Sequence, residues 1–160
     1  MTTRLHLLRH ADAGDRLAWA GPDDARPISE KGRRQAERLG RHLAATGVTT
    51  DAVVTSPLLR ALQTAEIVAA ALGADVRIDD RLGGDFGLAD LGALLADAGG
   101  PSRPLLVGHD PAFSDLAAEL VGAPELTLRK GAIVRIDVDG DLEPGAGRLR
   151  WLLSPEILAG

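Results

Sequence analysis

Two arginines and two histidines stand where apolar runs of the sequence end. Arg9 and His10 follow the apolar residues 5–8, Arg60 comes shortly after the run "VVTS", and His109 follows "PLLVG". An imidazole with an ordinary pKa of about 6.5 is a nucleophile near neutral pH, and a guanidinium pairs with phosphate oxygens through two parallel hydrogen bonds. Together the four side chains predict a positively charged pocket that binds a phosphate dianion.

The same residue types occur elsewhere without that context. Arg41 and His42 repeat the Arg-His dipeptide inside a predicted helix, on the side away from its apolar residues, which indicates a solvated face. His6 and His10 lie four residues apart on a predicted strand, about 13 Å at full extension, which is too far to share one metal ion. The chain has no Cys, and no acid completes the pair, so the sequence predicts no metal site and no cofactor.

Short apolar runs alternate with helical patterns along most of the chain. Strands are predicted at residues 5–9, 51–55, 75–79, 104–108, 132–138 and 148–153. Helices are predicted at residues 29–46, 57–72, 88–98 and 111–121. Such alternation is typical of an α/β fold, a three-layer α/β/α sandwich around a mostly parallel sheet with a late antiparallel strand at its edge. Residues 11–28 form a long predicted loop, and loops of that length are often functional.

Two of the predicted helices begin at a capping residue followed by proline. Ser56 precedes Pro57, and Asp110 precedes Pro111, an order typical of the N-cap and the first helical position. Helix starts carry unpaired N–H groups and about +0.5 of an elementary charge. Because ligands of open α/β sheets lie beyond the carboxyl ends of the parallel strands, we expect the four side chains to meet there.

The composition limits the classes of function that remain. A chain of 160 residues that is 45% hydrophobic can bury an aliphatic core as one domain, residues 1–160. A net charge of −5 with scattered basic residues argues against a nucleic-acid partner, and the absence of Cys excludes a thiolate nucleophile. Without a basic N-terminal segment before a long apolar stretch, or an apolar run of about 18 residues, we expect a cytoplasmic monomer with no membrane partner.

Several segments carry a resemblance to a known family. They are "LHLLRHADA" (5–13), "RPISEKGRRQA" (26–36), "VVTSPLLRALQTA" (53–65), "LLVGHDPAFSDLAAEL" (105–120), "RKGAIVRI" (129–136) and "LRWLLSP" (149–155). In this order they are similar to the histidine phosphatase superfamily, also called phosphoglycerate-mutase-like, and most of all to its small phosphohistidine phosphatases of the SixA type. The resemblance covers nearly the whole chain and implies a phosphoglycerate-mutase-like fold.

The resemblance also implies a metal-independent phosphatase reaction through a phosphohistidine enzyme intermediate. His10 would attack phosphorus and become phosphorylated. The phosphoryl oxygens would be held by Arg9, Arg60 and His109. Arg26, in the matching "RP" position, is implied as a further phosphate contact.

The sequence departs from the family pattern at two points. The broader family has glycine after the nucleophilic histidine, where this chain has Ala11, and we expect a slightly tighter loop. Mutase-like members carry a glutamate as proton donor where this chain reads "DDRLGGDFGLADLGALL", so Asp85 is the best acid available, followed by Asp80. Ser56 and Gln63 match motif positions, and we expect them to position other groups.

The missing glutamate bears on the substrate. An alcohol leaving from a phosphate ester needs a proton, whereas a phosphohistidine leaves as neutral imidazole when its other nitrogen is protonated. We therefore favour a phosphatase acting on phosphohistidine in a signalling or phosphotransfer protein. The alternatives are a phosphomonoesterase for a small sugar or nucleotide-pathway phosphate and, in another class, a catalytically silent phosphate-binding module. Mutase activity fits least, because a second phosphate position would need a larger cap.

One basic stripe has two interpretations. The helix that starts after Ser29 carries Lys31, Arg34, Arg38 and Arg41 opposite its apolar residues. Such a stripe is most often a solvated face, and if it is functional it would dock an acidic partner protein. The segment between the third and fourth predicted strands is short for a lid, so an open pocket would admit a protein side chain.

Overall fold

Six strands and four α-helices alternate in the computed structural model, which describes residues 1–158. The strands are β1 (Thr2–Arg9), β2 (Ala52–Thr55), β3 (Val76–Ile78), β4 (Pro104–Gly108), β5 (Ile133–Asp139) and β6 (Gly147–Leu153). The helices are α1 (Glu30–Ala45), α2 (Leu59–Leu72), α3 (Leu88–Asp97) and α4 (Ala112–Val121). Every predicted strand and helix is present, with ends that differ by a few residues. No helix within residues 1–158 is long and apolar enough to span a membrane.

The strands form one sheet in the order β3-β2-β4-β1-β5-β6. The strands β1 to β4 are mutually parallel, whereas β5 runs antiparallel to both of its neighbours. The predicted α/β fold class is confirmed, and the antiparallel strand lies one position inside the edge strand β6. Because β1, β2 and β4 are adjacent and in register, with Val107 opposite both Leu8 and Thr55, their carboxyl ends meet at one edge.

Apolar side chains cover both faces of the sheet. Consecutive residues of a strand point to opposite faces, so Leu7 of β1 packs into the cluster with α3 and α4, while Leu8 packs with α1 and α2. Both clusters are mainly aliphatic, and the two phenylalanines of the chain, Phe86 and Phe113, meet edge to face with ring centroids 6.2 Å apart. This gives the three layers that the alternating pattern predicts.

The helix starts agree with the sequence at α1 and differ at α2 and α4. Ser29 caps α1, its Oγ accepting from the Gly32 N–H at 3.0 Å. The prediction that Pro57 is the first residue of α2 is wrong: Leu58 is extended and α2 starts after it, while the Ser56 Oγ accepts from the Leu58 N–H at 3.1 Å.

At α4 the predicted cap lies one residue too early. Pro111 is the N-cap residue, so the helix begins at Ala112. Asp110 nevertheless stabilises this end, because its carboxylate accepts from the Ser114 N–H at 3.0 Å and from the Ser114 hydroxyl at 2.6 Å. Both shifts leave Arg60 in the first turn of α2 and His109 before α4.

Candidate active site

A cleft of about 910 Å³ opens at the carboxyl ends of β1, β2 and β4. All six residues that the sequence analysis singled out for the site line it: Arg9, His10, Arg26, Arg60, Asp85 and His109. Asp80, the second choice of acid, lies outside this lining. Within residues 1–158 no three His, Asp or Glu side chains gather closely enough to hold a metal ion.

His10 is almost fully buried at the floor of the cleft, with 6% of its surface exposed. Its Nδ1 lies 2.7 Å from the Ala11 carbonyl oxygen. A carbonyl can only accept, so Nδ1 carries the proton of the neutral ring and Nε2 keeps its lone pair. Burial, reinforced by the neighbouring His109 and Arg60, lowers the pKa of His10 to about 3. At neutral pH His10 is therefore an uncharged imidazole with a nucleophilic Nε2.

The segment after His10 is fixed by two helices. The Ala11 N–H donates to the Thr64 Oγ1 of α2 at 3.0 Å, and the Asp12 N–H donates to the Gln35 Oε1 of α1 at 2.9 Å. Ala11 is completely buried. The sequence analysis missed Thr64 and Gln35. For Thr64 the signal was a polar residue on the buried side of α2, where a purely structural helix would place an aliphatic one, whereas the half-buried Gln35 carried no such signal.

His109 is held by a residue of the neighbouring strand end. Its Nε2 lies 2.8 Å from the Ser56 Oγ, and its ring centroid is 5.2 Å from that of His10. Burial and the charge of Arg60 lower the pKa of His109 to about 4, so this ring is also neutral at neutral pH. The predicted positioning role of Ser56 agrees with this contact. Gln63 also positions backbone, since its Oε1 accepts from the Ile28 N–H at 2.9 Å.

The guanidinium of Arg60 pairs with an acid that the sequence analysis missed. Arg60 is 7% exposed and donates to the Asp23 carbonyl at 2.8 Å and to the Asp23 carboxylate at 3.1 Å. The same carboxylate lies 3.3 Å from the Arg26 Nε. Partial burial alone would raise the pKa of Asp23, but Arg60 and Arg26 hold it below its usual value. The site is therefore less uniformly positive than predicted.

Arg26 closes the long loop on itself. Its Nη1 donates to the Ala13 carbonyl at 2.7 Å, and its Nε donates to Asp23, so one side chain joins the start of the loop to its end. Only 8% of Arg26 is exposed, although it lines the cleft. Nothing in the sequence pattern distinguishes an arginine that holds the loop in place from one that contacts phosphate directly.

The remaining two predicted residues differ in how firmly they are held. Arg9 donates through Nη1 to the Leu128 carbonyl at 2.9 Å, and the same nitrogen is 3.6 Å from the Asp110 carboxylate. Asp85 is exposed on the rim, one residue before the buried Phe86. No hydrogen bond involving its side chain occurs among the described residues.

Comparison with known proteins finds relatives over the full length of the chain. The profile of the histidine phosphatase superfamily (branch 1) matches residues 5–94. An uncharacterised protein of Picosynechococcus sp. (strain PCC 7002) is 34% identical over 158 residues, covering 91% of this chain and 88% of the relative. Phosphohistidine phosphatase SixA of Escherichia coli (strain K12) is 29% identical over 157 residues, covering 95% and 94%. The solved structure of the protein histidine phosphatase SixA complexed with tungstate superimposes with a TM-score of 0.84 at 27% identity, over 99% of this chain and 100% of that one.

Proposed function

Since the chain belongs to the histidine phosphatase superfamily (branch 1), and so is a phosphatase with a histidine nucleophile, we propose that its substrate is phosphohistidine carried by a signalling or phosphotransfer protein. The observation that carries this substrate class is the likeness to phosphohistidine phosphatase SixA along almost the whole chain. The cleft supports it, because it is open to solvent and a protein side chain can enter it.

In the first step, the lone pair of His10 Nε2 forms a bond to phosphorus while the bond from phosphorus to the substrate nitrogen breaks. The electron pair of that bond leaves with the substrate imidazole, which departs neutral when its other nitrogen is protonated. Burial keeps His10 unprotonated and ready to attack at neutral pH.

The cations of the cleft stabilise the charge that spreads over the three equatorial oxygens in this step. We assign this role to Arg9 and Arg60, with His109 as a third donor. If the Ser56 hydroxyl donates to His109 Nε2, the proton of the neutral ring sits on Nδ1 and is available to a phosphoryl oxygen. Ser56 is thus a positioning residue. Arg26 acts mainly by holding Asp23 and the loop, with phosphate contact as its secondary role.

In the second step, water attacks the phosphorus of phosphorylated His10, the bond from phosphorus to Nε2 breaks, and inorganic phosphate leaves. The proton released by the attacking water passes to solvent or to the phosphate itself. Asp85 is the proton donor that we propose for substrates with a poorer leaving group, because it stands on the rim facing the cleft. A phosphohistidine has less need of that donor, which agrees with the exposed position of Asp85.

The test is phosphate release from a phosphotransfer protein phosphorylated on histidine, measured in the presence of EDTA. We expect release by the wild type and at least a 1,000-fold lower rate for His10→Ala, because the nucleophile is missing. His42→Ala is the matched control, since His42 is exposed on α1 and does not line the cleft. Its rate should equal that of the wild type.

The same assay separates the alternatives. A higher kcat/KM for p-nitrophenyl phosphate or sugar phosphates than for phosphohistidine would contradict the proposed substrate class and favour the phosphomonoesterase. Equal inactivity of the wild type and His10→Ala on every substrate would contradict the catalytic proposal. An acid-labile phosphoenzyme trapped in the wild type but absent from His10→Ala would support it directly.

A further inference from the structure

A second groove, of about 730 Å³, continues from the active-site cleft along α1. Both cavities are lined by Arg9 and Lys130. The groove therefore begins at Arg9, the residue to which we assign phosphoryl binding. The groove, here called the α1 groove, carries a row of cations beyond Arg9: Lys31, Arg34, Arg38, Arg129 and Lys130.

The row on α1 follows from helical spacing. Lys31, Arg34 and Arg38 lie three and four residues apart, which places them on one face of the helix. Arg41 belongs to the same stripe in the sequence but does not line the groove, because the helix has passed beyond its end. The interval from 31 to 38 spans about 10 Å along the helix axis, room for about three residues of an extended chain.

The positive charge of the α1 groove is only partly compensated. Among the described residues, Lys31, Arg34 and Arg38 form no salt bridge. The two acids of the groove pair loosely, Asp12 with Lys130 at 3.8 Å and Glu156 with Arg129 at 3.6 Å. Pairs of this length at a solvated surface contribute little, so a ligand with carboxylates can replace or join them. This excess stands out in a chain whose net charge is −5.

We infer that the α1 groove binds an acidic segment of the protein substrate next to the phosphorylated residue. This rests on the proposed function, since it takes the phosphohistidine side chain to enter the cleft beside Arg9. The protein surface around that side chain must then lie over the adjoining groove. Asp and Glu residues there meet the cations of α1, which attract them over several Å and hold the substrate in register with His10.

The test compares two double charge reversals on the same helix. Lys31→Glu/Arg34→Glu changes two exposed cations that line the groove, and Arg33→Glu/Arg41→Glu changes two exposed cations that do not. Both alter the net charge equally. For the protein substrate, we expect the first variant to raise KM at least tenfold with kcat nearly unchanged, and the second to change KM less than twofold. Turnover of a small phosphoramidate should be the same in both, which also shows that each variant folds.

Three outcomes overturn the inference. Equal KM values for the two variants would show that the groove does not contact the substrate, provided that the wild type dephosphorylates the protein. A loss of small-phosphoramidate turnover in the groove variant alone would mean that its cations serve the active site instead. Competition by a single-stranded oligonucleotide, but not by poly-L-glutamate, would assign the groove to nucleic acid. No release from phosphoprotein by the wild type, with small esters hydrolysed, would contradict the proposed function itself.

Discussion

At the scale of single residues, the ring of His10 is oriented by a backbone carbonyl and not by a carboxylate. The Ala11 oxygen fixes the tautomer and offsets the shift only in part, so burial and the neighbouring cations still lower the pKa of His10 to about 3. The ring therefore stays deprotonated at any pH above about 4, and its availability as a nucleophile does not vary across the physiological range. A carboxylate partner would have drawn its pKa back toward neutrality.

Asp23 gives a prediction at the same scale. In the free site its carboxylate is paired with the guanidinium of Arg60. A phosphate dianion that binds Arg60 would be repelled by this negative charge. Asp23→Asn keeps a side chain of the same size and removes the charge, so we expect inorganic phosphate to inhibit three- to tenfold more strongly, up to about 1.4 kcal/mol in binding. The readout is the inhibition constant of phosphate.

Asp24→Asn is the control, because its neighbouring and exposed carboxylate makes no contact with Arg60 yet carries the same charge. We expect no change in phosphate inhibition for this variant. Weaker inhibition in Asp23→Asn would contradict the competition and would mean that the carboxylate instead holds Arg60 in its binding position.

At the scale of elements, α1 and the loop after β1 are joined at a backbone contact. A Cβ added to Gly32 would lie 2.0 Å from the Asp12 carbonyl oxygen, so only glycine permits this approach. The same carbonyl accepts from the Ser29 N–H at 2.8 Å at the start of the helix. The N-terminal end of α1 thus sets the position of the loop that follows His10 and orients its ring.

Gly32→Ala should damage both stability and activity. The clash is with backbone, which cannot rotate away, so we expect a loss of at least 2 kcal/mol in the free energy of unfolding and at least a tenfold lower kcat. Gly92→Ala in α3 is the matched control, since its Cβ would meet nothing within 4 Å. That variant should gain about 0.5–1 kcal/mol from helix propensity and keep full activity. Urea unfolding measures the stability of the two variants, and steady-state turnover measures their kcat. An unchanged kcat in Gly32→Ala would refute the inference that the start of α1 positions the loop after His10.

The sequence predicts elements better than it predicts contacts between them. Each strand and helix is a local pattern, and the convergence of the strand ends follows from a general property of parallel sheets. The order of the strands has no local signal, and neither does the pairing of Asp23 with Arg60, which are far apart in the chain and meet only through the fold. The start of α2 lies later than the capping pattern predicts, and Ser56 there binds both the Leu58 N–H and His109, a tertiary contact that a local pattern does not contain.

At the scale of the whole molecule, three neutral histidines, two of them buried and one half-buried, link stability to pH. Burial lowers the pKa of His6 to about 4, and His10 and His109 are at about 3 and about 4. An unfolded chain binds protons at these rings near pH 6.5, whereas the native protein does not until pH 4 or below. Between those limits the unfolded state holds more protons, so stability is lost as the pH falls.

His6 isolates this effect because it is remote from the cleft lining. It is 3% exposed, and neither ring nitrogen has a hydrogen-bond partner among the described residues. We expect His6→Leu to remove on the order of 2 kcal/mol of the stability difference between pH 7.5 and pH 4.5, at about 1.4 kcal/mol per pKa unit. Urea unfolding at both pH values gives the comparison. An equal difference in His6→Leu and wild type would show that this ring is protonated in the native state at pH 4.5.

The position of β1 in the sheet couples catalysis to the order in which the chain is made. β1 carries Arg9 and His10 and is translated before the other five strands, yet its two neighbours in the sheet are β4 and β5, which are translated much later. A nascent chain whose β5 is still inside the ribosome already contains His10. It lacks one of the two strands that hold β1 in the sheet. Phosphatase activity therefore requires that β4 and β5 have joined the sheet, and we expect a nascent chain that ends before β5 to be inactive.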